Sequence, residues 1–167
     1  SGPILLQQEM SILPDETAGK LHDRLSALTG DFLMRILSDL AKNRIHERPQ
    51  DHEASTYAPK IDRGMSHIKW DKPAKTISAL IRAFDPWPGA VTKLRGKDIK
   101  LFSSRVVDEE QIGLPGRVKG QEGDGLEVET GKGIVKIGEL QIPGRKRLPV
   151  KDFLMGFSLK KGTLFGR

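Results

Sequence analysis

Four histidines, His22, His46, His52 and His67, are the first residues to weigh as metal ligands or proton carriers. A transition-metal site needs ligands at close, repeated spacing, such as i and i+4 on one helix face, with acidic or cysteine neighbours to complete it. These four show no such spacing, so each reads as a solvated or structural histidine and no metal is expected. The chain has no cysteine, which excludes a disulfide framework, an iron–sulfur centre and any cysteine zinc finger. Acidic residues are scattered, with no close carboxylate pair for acid–base work. There is no G-x-S-x-G elbow, no P-loop and no G-x-G-x-x-G. Gly120-Gln121-Glu122-Gly123-Asp124-Gly125 comes nearest to a phosphate-binding loop, but both flanks read as strands, and a hairpin turn accounts for it. No residue is therefore assigned to catalysis, cofactor or metal.

The cations say more. Lys93, Arg95, Lys97 and Lys100 surround one turn, and Arg145-Lys146-Arg147 follow Pro143-Gly144, with Lys151 soon after. Loops and strand faces bearing Lys and Arg follow a phosphate backbone without reading its sequence. The charge is also uneven. Residues 1–72 carry 10 basic and 11 acidic side chains, whereas residues 73–167 carry 18 and 11, so the net charge of +6 lies wholly in the second part. Glycine shifts in the same direction, 4 before residue 73 and 14 after it. A basic unit of this kind is a candidate for binding a polyanion, nucleic acid first. Phe102 is the only aromatic residue in the early strands, which favours contact with the backbone over base stacking.

The elements that must position these cations are legible in part. At 167 residues and 37% hydrophobic, the chain suits one domain, or a small domain with an appendage. No apolar run reaches the roughly 18 to 20 residues of a membrane span, and the N-terminal stretch has neither a basic start nor a long apolar run. Residues 4–12 read as a short strand ending at Pro14. Asp15 then caps a helix carrying Leu21, Leu25 and Leu28, and Gly30-Asp31 break it before a second helix with Phe32, Leu33, Ile36, Leu37 and Leu40. Such a strand and helical pair form the edge of an α/β domain. Residues 44–72 are polar, broken by Pro49 and Pro59, and read as a linker. Residues 73–84 form a helix with Ile77, Leu80, Ile81 and Phe84 inward, stopped by Asp85-Pro86-Trp87-Pro88-Gly89, a stiff turn expected to plant Trp87 in the core. Beyond it the period falls to two. AVTKL and IKLFSSRVV read as a hairpin about Gly96-Lys97. GRVKG, GLEVET and GIVKIGELQI follow as short strands, so residues 73–167 should build a small barrel. PVKDFLMG adds a helical turn or two, and SLKKGTLFGR a final strand.

Several stretches together resemble one family, the methionyl-tRNA formyltransferases. They are GPILLQ at 2–7, DETAGKLHDRL at 15–25, TYAPKI at 56–61, IKWDKPA at 68–74 and, above all, IRAFDPWPGA at 81–90. PGR at 115–117, GDGLEVETGKGIVKIGELQIPGRK at 123–146 and KDFLMG also fit, so the likeness runs in order over essentially the whole chain. The resemblance implies an enzyme that moves a formyl group from 10-formyltetrahydrofolate to the amine of methionine on initiator tRNA. It implies that the family's catalytic Asn–His–Asp set lies upstream of GPILLQ, so this chain is expected to be inactive alone. It also implies a C-terminal domain resembling an OB-fold that turns a basic face to the tRNA. Carried onto this chain, the candidates are Lys60, Lys93, Arg95, Lys97, Lys100, Arg117, Lys119, Arg145, Lys146 and Arg147.

The expected fold is therefore α+β, mainly β. It is a small OB-like Greek-key β-barrel with one preceding helix, plus an N-terminal strand and helical pair left over from an α/β formyltransferase domain. The expected division is 1–43 for that domain edge, 44–72 for the linker and 73–167 for the barrel. The expected partner is initiator methionyl-tRNA, with no membrane and no metal, and the expected location is the cytoplasm. The resemblance implies 10-formyltetrahydrofolate as cosubstrate of the full-length enzyme, and no cofactor is expected to be held by this chain. Self-association through exposed residues 4–43 is a further expectation. Two other readings compete, the C-terminal part of a sugar-nucleotide formyltransferase and a free-standing adaptor. The first needs no long basic face, and the second leaves residues 4–43 unexplained.

Overall fold

The computed structural model describes residues 2–166, in two compact units. One comprises the residues up to Pro14 with Lys20–Ile61, the other Asp15–Gly19 with the residues from Asp62 on. The longest element of the first unit is helix α1, Ala18–Ala41, whose first two residues are counted with the second unit and which has no buried residue. The expected helical pair is thus a single helix. Gly30 lies in its exposed interior, where glycine costs only about 1 kcal/mol against alanine, too little to stop a 24-residue helix. Asp15 has φ 58, outside the extended conformation of an N-cap, and does not start it. The expected strand over 4–12 is also absent. Its one ladder contact is the bridge between Ile4 and Arg48, with N···O distances of 2.8 and 3.0 Å. Among the described residues no strand runs beside it, and an extended segment without a partner strand has no ladder to join. No helix is long and apolar enough to cross a membrane among the described residues.

The second unit opens with a short 3-10 turn at Arg63–Ser66, capped by the Asp62 carboxylate, which accepts from the N–H groups of Gly64 and Met65. Helix α2, Ala74–Ala83, buries Ala74, Ile77, Ser78 and Ile81, the i, i+3, i+4, i+7 face that its sequence spells. Strands β1 (Ala90–Leu94), β2 (Lys97–Asp108), β3 (Val118–Glu122), β4 (Gly125–Glu129), β5 (Ile134–Gln141) and β6 (Leu148–Pro149) form one antiparallel sheet in the order β1-β2-β5-β4-β3, with β6 beside β5. Helix α3, Val150–Gly156, follows. The β1–β2 loop is Arg95-Gly96, both at positive φ (52 and 75), the mirror-image turn that suits strand twist; Lys97 already belongs to β2. The Gly120–Gly125 run is a hairpin, as expected, with Glu122 paired to Gly125.

The core gathers Ile81, Leu94, Leu101, Val118, Val128, Val135, Ile137 and Leu140, none more than 1% exposed. Two residues of the presumed linker join it. Ile68 is buried, and Trp70 donates its indole N–H to Thr92 Oγ1 at 2.9 Å while its ring stacks on Phe165 at 5.6 Å. Phe165 belongs to the C-terminal tail, which bonds to both outer strands of the path. Val118 N–H donates to Thr163 O at 2.8 Å on the β3 side, and Gly166 N–H to Lys93 O at 2.8 Å on β1. The tail thus covers hydrogen-bonding groups that sheet edges leave open. Trp87, in contrast, is 67% exposed, against the expectation of a core ring. Phe84 and Asp85 take the inward places at this turn, so the ring two residues on projects outward.

Candidate nucleic-acid interface

Strand register sets where the cations stand. Ala90 pairs with Leu101 and Val91 with Lys100, while Lys100 also faces Gln141 at the end of β5. The Trp87-Pro88-Gly89 turn that leads into β1, Lys100 on β2 and the Pro143–Lys146 turn after β5 therefore share one corner of the sheet. Arg145 and Lys146 are exposed, and Lys100 is partly so. The turn carrying Arg145 is shaped by Arg145 N–H donating to Ile142 O and by Gln141 Nε2 donating to Arg145 O, which leaves the Arg145 side chain outward. Among the described residues, Lys97, Lys100, Arg145 and Lys146 have no carboxylate in ion-pairing range. Such cations are available to phosphate.

The other candidates are more occupied. Lys93 pairs with Asp98 at 3.2 Å. Arg95 donates to Ser158 O at 3.2 Å and lies over the Phe157 ring. Arg117 grips buried Glu129 with Nε to Oε2 at 2.6 Å and Nη2 to Oε1 at 2.9 Å, and Lys119 stands 3.8 Å from Glu127. These two sit on the β3 side, at the far end of the strand path from β1. Lys60 is exposed in the first unit. The register thus sets Lys100 beside the strand end that leads into the Arg145-Lys146 turn, with Arg95 on the β1–β2 turn and Lys97 at the start of β2, and places Arg117 and Lys119 elsewhere.

Arg147 belongs to an internal network. Its Nη1 donates to Asp85 Oδ1 at 2.7 Å and its Nη2 to Asp85 Oδ2 at 3.1 Å; it also bonds Glu139 and Ser103, and its guanidinium lies 4.1 Å over the Phe102 ring. Burial alone would lower its pKa, but the hydrogen bonds from Arg147 to Asp85 and Glu139 raise it above the usual arginine value. Burial pushes Glu139 up, and the hydrogen bonds from Arg147 and Ser103 outweigh it and hold the carboxyl below the usual range. The Arg117 hydrogen bond holds Glu129 down likewise, against burial and with help from the Leu114 N–H.

These two carboxylates should make the second unit acid-sensitive, alongside partly exposed Asp108, which the Gln111 and Glu110 N–H groups also hold low. Both are depressed from an ordinary value of 4.5, so the stability they contribute is complete above that value and is lost as pH falls through their lower native values. The thermal midpoint should be flat from neutral pH down to about 5 and fall below about 4.5. Glu129→Gln should flatten that fall. A midpoint that drops between pH 7 and 6 would assign the acid sensitivity to other groups.

Sequence reasoning missed Arg63 and set His67 aside as a solvated or structural histidine; both share a cleft with Trp87 and Lys100. Both lie in what reads as linker, and the visible signal was only Asp62 two residues before Gly64, an Asx cap that orders a turn. Among the described residues no group of three or more His, Cys, Asp or Glu is placed to hold a metal.

Comparison with known proteins places this geometry. Residues 60–158 match the model for the formyl transferase C-terminal domain. The chain is 40% identical over 166 residues to the methionyl-tRNA formyltransferase of Syntrophus aciditrophicus, covering 99% of this chain and 53% of the relative. The chain spans about half the length of the curated relatives it matches. Among solved structures it is similar to a HypX variant from Aquifex aeolicus, with TM-score 0.66, 21% identity and coverage of 85% of this chain and 26% of that one. HypX in complex with tetrahydrofolic acid is similar at TM-score 0.58 and 25% identity, over 73% of this chain and 22% of that one.

Proposed function

Because the chain belongs to the formyl transferase family, with its C-terminal domain at residues 60–158, we propose that it is the tRNA-holding part of a methionyl-tRNA formyltransferase. The whole enzyme would transfer a formyl group from 10-formyltetrahydrofolate to the amine of methionine on initiator tRNA, in the cytoplasm. In this reading residues 1–43 are the edge of the formyltransferase domain, 44–72 the linker and 73–167 the barrel. The barrel's OB-like Greek-key character is part of the same proposal, supported by the tail that bonds to both β3 and β1. The exposed Leu33, Met34, Leu37 and Leu40 of α1 are what the rest of that domain, or a second copy, would cover.

The observation that carries the RNA assignment is the corner holding Lys100, Arg145 and Lys146, which have no carboxylate partners among the described residues, with Lys97 at the nearby start of β2. Lys60, Lys93, Arg95, Arg117, Lys119 and Arg147 complete the set, the last acting through the fold. Folate is assigned to the whole enzyme.

The test is filter binding of the chain to initiator tRNA across a salt series, beside an Arg145→Glu/Lys146→Glu variant that leaves Arg147 in place. Each phosphate contact adds about 0.9 to the slope of log affinity on log salt, so losing two contacts should reduce it by roughly 1.8. Equal slopes for the two proteins would refute the interface. The sugar-nucleotide relative, which needs no long basic face, would then replace it.

A further inference from the structure

We propose that the cleft beside Trp87 binds one unpaired nucleotide, with the base stacked on the indole and its phosphate held between Arg63 and Lys100. This rests on the RNA reading above and deepens it from backbone contact to base contact. The cleft holds about 330 Å³, at the small end for ligand pockets, and Arg63, His67, Trp87, Pro88, Lys100 and Pro143 line it. An indole 67% exposed gives up apolar surface to water that a core position would bury, so its exposure calls for a partner. The ring is also well held. Pro86 and Pro88 fix the backbone on either side, and Phe84 and Asp85 anchor the turn in the interior, so stacking there orders little that is not already ordered.

Charge selects the occupant. Among the described residues Arg63 and Lys100 have no carboxylate in ion-pairing range, and the one acid lining the cleft, Asp98, is occupied by Lys93. Arg63 begins a turn fixed by the Asp62 carboxylate at 2.6 Å from Gly64 N, and His67 at its end approaches Gly64 O at 3.3 Å. A flat apolar ring sharing a cleft with two cations matches a nucleotide, which presents a π-face and a phosphate. A proline-rich peptide would match the ring and leave both cations unused. Every base has a π-face, so the site tolerates sequence.

Titration of the whole chain with a single-stranded octa-adenylate, and with an abasic ribose-phosphate octamer of equal charge, separates base from backbone. Quenching of tryptophan fluorescence reports stacking at Trp87, since Trp70 is buried against Phe165. The expected result is quenching by octa-adenylate alone, with Trp87→Ala weakening it about tenfold, Trp87→Phe retaining most affinity, and neither change altering abasic binding. Arg63→Ala and Lys100→Ala should weaken both oligomers. Equal octa-adenylate affinity in wild type and Trp87→Ala, or equal quenching by the abasic oligomer, overturns the stacking site while the RNA reading stands. Binding of neither oligomer nor tRNA by wild type overturns both.

Discussion

Gly131→Ala is expected to destabilise the second unit by about 3 kcal/mol, a severe effect for a single methyl group. The added Cβ would lie 1.8 Å from Asp71 O and 2.5 Å from Asp71 C, and both are backbone atoms that no side-chain rotation can move aside. The close approach has a purpose. Gly131 N–H is shared between Trp70 O at 2.8 Å and Lys72 O at 3.1 Å, and a parallel contact joins Ala74 N–H to Lys132 O at 2.8 Å. These bonds seat the segment that delivers Trp70 to the core and starts α2. Opening the gap to fit a methyl group would pull Trp70 from Thr92 and Phe165. Urea unfolding of the chain measures the cost, with Gly156→Ala as the control, because a Cβ there meets nothing within 4 Å. Gly156→Ala should change stability by less than about 0.5 kcal/mol. If Gly131→Ala matched it, the backbone contact at Asp71 would not be tight in solution.

Local pattern carried the second unit well. The period-two runs became β1 to β5, the glycine-rich turn at 123–124 became a hairpin, and of the stripe expected along residues 73–84, Ile77, Ile81 and Phe84 are buried and Leu80 half-buried. Each of these is decided within about ten residues, where side-chain alternation and turn chemistry act directly. Trp87 was misread because composition shows that a large ring follows a proline and not which way the turn faces. That direction depends on Phe84 and Asp85 already filling the interior. Residues 4–12 were misread for a related reason, since a strand exists only with a neighbour to pair with. The site was legible as a set of cations and illegible as a surface. Whether a cation is available to phosphate depends on carboxylates far away in sequence. Arg117 meets Glu129 twelve residues on, and Arg147 meets Asp85 sixty-two residues back.

Arg147→Ala is expected to cost about 3 kcal/mol, and its effect on RNA binding should follow from that loss rather than from a missing phosphate contact. Removing the guanidinium leaves the Asp85 carboxylate buried at 7% side-chain exposure without its fork of two hydrogen bonds, and it uncovers Phe102. The Arg147 side chain is itself 30% exposed, so solvent screening keeps the figure at the low end for a buried pair. Arg147→Lys should recover only part, because an ammonium cannot make the bidentate bond to Asp85 while also reaching Glu139. The decisive comparison is the double variant Asp85→Leu/Arg147→Met. It removes the buried carboxylate together with its guanidinium and leaves only the partly exposed Glu139 without that partner, so it should be more stable than Arg147→Ala, in which Asp85 and Glu139 both lose it. If Arg147 serves the fold, the double variant keeps the tRNA salt slope of the wild type once it is folded. If Arg147 touches phosphate, that slope falls by roughly 0.9 even with stability restored. The same logic explains why the residue ends the Arg145-Lys146-Arg147 run. Its grip on Asp85 ties the turn bearing the two exposed cations to the turn bearing Trp87, so the corner keeps its shape without spending either of them.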